Sequence, residues 1–365
     1  MSPSLLAEPV VLLLLLLGAS SLARHSLMGD GDSPVASGGI IMAGGIFVIA
    51  ALGELGLPGL VGQLVALELL VVWGYVAFSY LRAGLRGDLG DKLRQPANAF
   101  AVGTWVAGSA VLGRALVEVL PGWRPLEAVL WVAAVVIWLW YLRLLVPAFR
   151  AVRGSPGTYN ANGAILLSAV ATQSLVVSGS AVLPGGMPQW VSAGLIALGY
   201  LFYAAGLVLL VRRYLLRSDW TLADDWDDTN CILHGAMSIT GLAIVQSGAL
   251  PVSWAVATWA WVAIMFVIVE GLEAARLSVR VRAYGLREGV LTYYVSQWSR
   301  IFTFGMFYAF TLQLYQSPPD GAWFTGLLGA IAGYGHYVVL AALLAQTSLF
   351  LLDRMGPEPK SAAGS

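Results

Sequence analysis

The feature that most constrains the fold is a series of eleven apolar stretches, each long enough to cross a bilayer as a helix. A helix of roughly 20 apolar residues spans the hydrocarbon core. The stretches run approximately over residues 5–23, 36–57, 60–83, 98–116, 126–148, 163–183, 190–211, 231–250, 254–276, 297–316 and 323–351. Transmembrane β-strands would alternate in polarity over about ten residues, and these runs do not. The chain is therefore predicted to be an all-α polytopic membrane protein.

Composition excludes several other classes of protein. Apolar residues make up 58% of the 365 residues and charged residues 11%, whereas a soluble domain carries about a quarter charged residues. The 20 basic and 20 acidic residues balance, which argues against a nucleic-acid partner. A single cysteine, Cys231, excludes a disulfide framework and a Cys-based zinc site. Known catalytic and nucleotide-binding motifs are absent from the sequence, so we expect no catalytic residue, no metal and no cofactor.

Basic residues predict the orientation of the chain, because Lys and Arg are retained on the cytoplasmic side. The short connections around 57–60, 184–189, 250–253 and 317–322 contain none, and the fifth, 117–125, contains only Arg124. The long connections contain Arg82, Arg86, Lys92, Arg94, Arg150, Arg153, Arg212, Arg213, Arg217, Arg276, Arg280, Arg282 and Arg287. We therefore expect a multi-pass protein of the cell membrane, with a cytoplasmic C-terminus and an extracytoplasmic N-terminus.

The same pattern divides the chain into repeated units. From residue 36, ten helices form five hairpins, each with a tight external turn, since short connections favour antiparallel neighbours. Residues 1–33 are interpreted as one extra N-terminal transmembrane segment with a linker. Residues 34–352 form the predicted ten-helix domain, and 353–365 form a cytoplasmic tail.

The two helices of a hairpin differ in chemistry. Gly, Ser, Thr, Asn and Gln occupy about a third of the odd-numbered helices but about a tenth of helices 2, 4, 6 and 8. Lipid tails accept Leu, Val and Trp, whereas polar groups are placed against protein or a water-filled path. This predicts an inner ring of odd helices around a central pore and an outer ring that faces lipid. Close helix packing by small residues is the alternative explanation.

Three segments carry a family resemblance. They are 88-DLGDKLRQPANAFAVGTWVAGSAVLG-113, 162-NGAILLSAVATQSLVVSG-179 and 298-WSRIFTFGMFYAFTLQL-314. Together they resemble the tellurite-resistance/C4-dicarboxylate transporter family, which includes slow-type anion channels, malate permeases and sulfite exporters. The resemblance covers roughly residues 34–350. It implies five hairpins around a quasi-fivefold axis, often assembled as homotrimers, with the bilayer and small anionic solutes as partners.

The resemblance also implies a pore gate on the ninth helix. In the family, a phenylalanine four positions after a tryptophan blocks the pore, and here Trp298 leads to Phe302. Phe304, Phe307 and Phe310 are nearby competitors for this role. The chain departs from the family in having Thr303 where proline is common. It also departs at the start of helix 7, where 232–236 reads ILHGA.

Further pathway residues are predicted on the inner helices. Hydroxyls, amides and small residues would select anions without binding them too tightly to leave. The predicted lining comprises Thr104, Gly108, Ser168, Thr172, Gln173, Ser238, Thr240, Met306 and Gln313. Arg114 and Arg300 are candidate vestibule charges that raise the local anion concentration, with membrane anchoring as the alternative.

Two ionisable residues are candidates for proton coupling. Glu68 lies about a third of the way into helix 2, and His234 begins helix 7; packing roles are the alternative for both. The acidic segment 219–228 follows Arg212, Arg213 and Arg217 and lacks the glycine and terminal Glu of a calcium loop, so it is interpreted as a charge-compensated loop.

These features predict transmembrane transport of small anions, either C4-dicarboxylates or inorganic anions, through a central pore gated by Phe302. Two alternatives stay open. The first is a proton-coupled dicarboxylate or sulfite carrier, and the second is a membrane sensor that transports nothing.

Overall fold

The computed structural model describes residues 9–18, 33–154, 161–218, 220–317 and 324–355. Ten core helices in this part of the chain correspond to the ten predicted helices. They are α1 (Val35–Ala51), α2 (Gly59–Arg86), α3 (Pro96–Val119), α4 (Arg124–Gly154), α5 (Gly163–Val182), α6 (Gln189–Tyr214), α7 (Ile232–Ser247), α8 (Val252–Gly289), α9 (Trp298–Gln316) and α10 (Thr325–Met355). Short 3₁₀ turns, Asp228–Cys231 and Val295–Gln297, lead into α7 and α9.

The odd-numbered helices form a closed ring. Helix α1 packs on α3, α3 on α5, α5 on α7 and α7 on α9, and α9 returns to α1. Each even-numbered helix packs outside this ring against its hairpin partner and the next inner helix, although the backbones of α8 and α9 approach each other at few points. The predicted all-α architecture of five hairpins, with inner and outer helices, is confirmed.

Burial separates the two rings. In the apolar windows of α3 and α5, 89% and 78% of residues are buried, against 22–33% in α2, α4, α6, α8 and α10. These seven described helices are long and apolar enough to cross a membrane. The other three core helices, α1, α7 and α9, are inner helices, which tolerate shorter or more polar sequences because they face protein rather than lipid.

Glycine permits close approach at all five contacts of the inner ring. At each contact, a Cβ added to one glycine would lie less than 3 Å from the neighbouring inner helix or the turn that begins it. The pairs are Gly38 with Thr104, Gly103 with Leu167, Gly163 with Thr229, Gly235 with Thr303, and Gly305 with Ile46. Close packing therefore accounts for much of the small-residue content of the odd helices.

The ends of the helices differ from the predicted spans. Helix α8 continues to Gly289 and breaks from helical geometry at Gly285, whose φ is 76°, so most of the predicted basic loop after residue 276 is helical. Of the predicted N-terminal span 5–23, the structure describes a short helix, Pro9–Gly18, which packs through Leu12, Leu13 and Leu16 beside α2 and α3. Residues 5–8 and 19–23 of that span lie outside the described residues.

Candidate functional site

Within the described ranges, helix α9 has neighbouring helices on all of its faces except one. Thr303 and Phe310 meet glycines of α7, and Gly305 meets Ile46 of α1. Phe304, Phe307 and Thr311 contact the aromatic side chains of α8, and the Tyr308 hydroxyl donates to the Ala332 carbonyl of α10 at 3.1 Å. Helical spacing puts Phe302, Met306, Ala309 and Gln313 together on the remaining face. Phe302 and Met306 are each 1% exposed, and Gln313 is half-buried.

The start of α9 is held by side chains in the turn before it. The Trp298 indole donates to the Tyr293 hydroxyl at 3.1 Å, and Gln297 accepts from the Tyr294 backbone amide at 3.1 Å. Burial raises the pKa of Tyr293, so the phenol stays neutral and can donate as well as accept. Trp298, the tryptophan of the gate motif, therefore fixes the position of α9 four residues before Phe302.

On α3, two predicted lining residues lie against a neighbouring helix. Gly108 and the backbone of Thr104 both lie against Gly38 of α1. Other sides of α3 meet α2, α4 and α5. Helical spacing places Ala107 and Arg114 on the part of the α3 surface that lies between its contacts with α1 and with α5. The contacts of Thr104 and Gly108 thus fit the packing alternative, whereas Arg114 lies on the part of the surface that the neighbours leave open.

Two predicted lining residues of α5 make hydrogen bonds to outer helices instead. The Trp138 indole of α4 donates to the Thr172 hydroxyl at 3.1 Å. The Gln173 amide donates to the Ile196 carbonyl of α6 at 3.2 Å. Composition identified α5 as an inner helix, but the rotation of the helix turns these two side chains outwards. These bonds favour a packing role for Thr172 and Gln173, and we leave both out of the proposed lining.

The remaining predicted hydroxyls are fully buried and bonded to their own helices. Ser168, Ser238 and Thr240 donate to backbone carbonyls three or four residues earlier, at 2.7–2.8 Å. Their protons, which would otherwise bind an anion, are engaged in this conformation. Selectivity through these hydroxyls would require a change of rotamer.

A cluster of charged side chains lies at the basic end of α7, α8 and α9. Arg300 of α9 lies between Glu270 and Glu273 of α8, at 3.5 and 3.1 Å. Arg276 joins Glu273 at 3.1 Å to Asp228 at 2.6 Å. The predicted vestibule charge of Arg300 is therefore compensated by two carboxylates on an outer helix. Sequence reasoning missed this link, because nothing in the local pattern around Arg300 indicates a partner on α8.

The two coupling candidates lie in different environments. His234 is fully buried, with Nε2 3.3 Å from Glu270 Oε1, and its ring packs against both Phe266 and Phe304. It thereby extends the charged cluster into the protein. Glu68 is half-buried on α2, outside the inner ring.

The second candidate vestibule charge, Arg114, lies at the end of the molecule opposite the charged cluster. It pairs with Glu118 at 3.0 Å and keeps about a third of its side chain exposed.

The Asn162–Gly163 pair, which begins the second of the three family segments, joins the starts of α5 and α7. Gly163 N donates to Asn230 Oδ1 at 2.9 Å, and Asn162 Nδ2 donates to Asp227 Oδ2 at 3.1 Å. Asn162 and Asp227 also cap the turns that begin α5 and α7. The motif is thus explained by a junction between two inner helices.

The acidic segment before α7 is bound by protein groups. Asp225 pairs with Arg213 at 2.7 Å, Asp228 pairs with Arg276, and Asp224 accepts from Tyr284. Asp219 lies outside the described residues. Within the described ranges, no group of three or more His, Cys, Asp or Glu residues is arranged to hold a metal ion. The partners of Asp224, Asp225 and Asp228 support the interpretation as a charge-compensated loop.

Comparison with known proteins identifies the family. No curated protein matches the chain significantly. The sequence model of the SLAC1 family, described as voltage-dependent anion channel, matches residues 33–349. That match begins before α1 and ends within α10, so it takes in all five hairpins and agrees with the resemblance in the three sequence segments. The chain therefore belongs to the SLAC1 family of voltage-dependent anion channels, whose function is anion transport across the membrane.

Proposed function

We propose that this protein conducts small anions passively along the axis of its inner-helix ring, with Phe302 as the gate. The observation that carries the proposal is the arrangement of neighbours around α9. Contacts with α1, α7, α8 and α10 account for all faces of the helix except the one that carries Phe302, Met306, Ala309 and Gln313. In a closed ring, the face without a neighbouring helix is the one directed at the axis.

A buried aromatic ring at this position suits a gate. An apolar side chain in a narrow path blocks an ion sterically and by excluding water. Phe304 and Phe307 pack against Phe266 of α8, and Phe310 lies against Gly241 of α7. These contacts favour Phe302 over the three competing phenylalanines.

The lining predicted here differs from the one that composition alone suggests. Met306, Ala309 and Gln313 share the Phe302 face of α9, and Arg114, which is paired with Glu118 and a third exposed, lies near the opposite end of the ring. Weak, mostly apolar contacts of this kind favour conduction over tight binding. The proposed substrates are C4-dicarboxylates or inorganic anions such as chloride, nitrate and sulfite, and a homotrimer is the proposed assembly.

Flux measurements on Phe302→Ala and Phe304→Ala in liposomes test the gate. We expect Phe302→Ala to raise anion flux about tenfold, which corresponds to about 1.4 kcal/mol of the barrier. Phe304→Ala removes the same ring from the α8 side of the same helix and should leave flux at the wild-type level. Equal flux in wild type and a correctly folded Phe302→Ala, or an equal rise in both variants, would overturn the assignment.

The same liposomes distinguish a channel from a proton-coupled carrier. A channel should pass current that follows the anion gradient and stays proportional to it, across a panel of chloride, nitrate, sulfite and malate. Saturable uptake that acidifies the lumen together with the substrate would instead favour the carrier, with His234 or Glu68 as coupling residues.

A further inference from the structure

The backbones of α8 and α9 approach each other at few points, although side chains such as Phe266 and Phe304 bridge them. Two cavities lie one after the other along this pair of helices. One, of about 420 Å³, has an almost wholly apolar lining from α8, α9 and α10, including Phe266, Phe304 and Val339. The other, of about 260 Å³, is the more polar of the two and lies towards the basic end of the same three helices, beside Arg280, Arg300 and Gln346. We call the two together the α8–α10 groove.

The lining residues place the two cavities end to end along the same three helices. On α10, Val339 lines the apolar part and Ala342 the polar part, and three residues of helix rise about 4.5 Å. On α9, Arg300 and Ile301 of the polar part precede Phe304 of the apolar part by one turn. The apolar part spans Leu327 to Val339, about 18 Å along the axis, close to half of a hydrocarbon core of about 30 Å.

The charges of the polar part point to the chemistry of an occupant. Arg276 and Arg300 are compensated by carboxylates of the cluster described above. Arg280 instead donates to the backbone carbonyls of Gly289, Ala223 and Glu288, at 3.0, 2.8 and 3.4 Å, and it forms no ion pair with a carboxylate of the described residues. A guanidinium has five N–H donors, so two of them are left for an anion. Glu288 lines the same cavity and forms no ion pair within the described ranges. The side chains of Arg280 and Glu288 are therefore a cation and an anion in the same cavity that form no ion pair with each other.

We propose that the α8–α10 groove binds a zwitterionic phospholipid from the leaflet at the basic end of the protein. Its phosphate lies at Arg280, its ammonium group at Glu288, and one acyl chain follows the apolar part towards the middle of the bilayer. Pockets between transmembrane helices at the basic side are suited to lipid headgroups. The groove lies on the side of α9 away from Phe302, so the bound lipid stands outside the proposed anion path.

Native mass spectrometry of the purified protein with added phosphatidylethanolamine tests this site. Wild type should retain one more lipid per chain than Arg280→Gln, which removes the phosphate contact, or Ala330→Trp, which fills the apolar part. Arg280→Lys keeps the charge and should retain the lipid. The matched controls are Arg150→Gln on α4 and Ala205→Trp on α6, both at exposed positions, and they should behave as wild type.

Three outcomes would overturn the proposal. The first is equal lipid retention in wild type and in folded Arg280→Gln and Ala330→Trp. The second is equal or tighter retention of phosphatidylglycerol, which lacks the ammonium group assigned to Glu288. The third is retention of inorganic phosphate or glycerophosphoethanolamine that equals retention of the intact lipid, because the acyl chain would then contribute nothing to binding. If Arg280→Gln fails to fold, Ala330→Trp and the headgroup comparison decide the question.

Discussion

Replacement of Gly38 by alanine should loosen the contact between α1 and α3. The added Cβ would lie 2.5 Å from the backbone oxygen of Thr104 and 2.6 Å from its carbonyl carbon, whereas ordinary contacts begin at 3.4 Å. The two helices would have to separate by about 0.9 Å, because the obstacle is backbone and cannot rotate away. Overpacking of this kind costs about 1–3 kcal/mol. We expect a loss of about 2 kcal/mol, roughly a 30-fold change in the folded-to-unfolded ratio, and a larger loss for Gly38→Val.

Gly59 provides a matched control for this substitution. It is the first residue of α2, as Gly38 is the first residue of the α-helical part of α1, but a Cβ added to Gly59 would have no atom within 4 Å. Gly59→Ala should change the free energy of unfolding by less than about 0.5 kcal/mol. Unfolding by sodium dodecyl sulfate in mixed micelles, followed by tryptophan fluorescence, measures both. Equal unfolding free energies for Gly38→Ala and Gly59→Ala would refute the close-packing explanation of the inner ring.

Two further predictions concern charge. Arg300→Gln removes the cation that lies between Glu270 and Glu273 and should lower the free energy of unfolding by about 3 kcal/mol. The control Arg150→Gln, at an exposed position, should change it by less than about 0.5 kcal/mol. Similar losses in the two variants would show that the cluster adds nothing to stability. Arg114→Gln should reduce anion flux several-fold at about 0.01 M salt and much less at about 1 M, where screening is strong. A reduction that does not depend on salt would contradict a vestibule role for Arg114.

The division into inner and outer helices was predictable from sequence because lipid imposes a local rule. Residues that face lipid are mostly apolar wherever they lie, and α4 accordingly carries no Gly, Ser, Thr, Asn or Gln between Leu126 and Val146. The inner helices face protein rather than lipid, and Gly, Ser, Thr, Asn and Gln make up about a third of their residues. Phe302 was predicted from the resemblance and from its spacing to Met306 and Gln313, and the contacts of α9 support the same face.

The detailed roles of the inner polar residues were not predictable in the same way. Thr172 and Gln173 lie on an inner helix, yet they bond to α4 and α6. Gly108 lies on another inner helix and serves a helix contact. Thr, Gln and Gly occur both in ion paths and in packed helix interfaces, so the local sequence does not show which of these two roles a residue has. The distinction depends on the rotation of the helix about its own axis.

The sequence by itself determined the membrane class, the five hairpins and the alternation of inner and outer helices, because the bilayer acts on each segment separately. The tertiary structure alone decided which side chains meet. It brought Arg300 to Glu270 and Glu273, joined Asn162 and Gly163 to the start of α7, and left the two cavities along α8 and α9. These contacts depend on the relative rotation and spacing of helices distant in sequence, which are fixed only when the ring closes and all five interfaces pack at once.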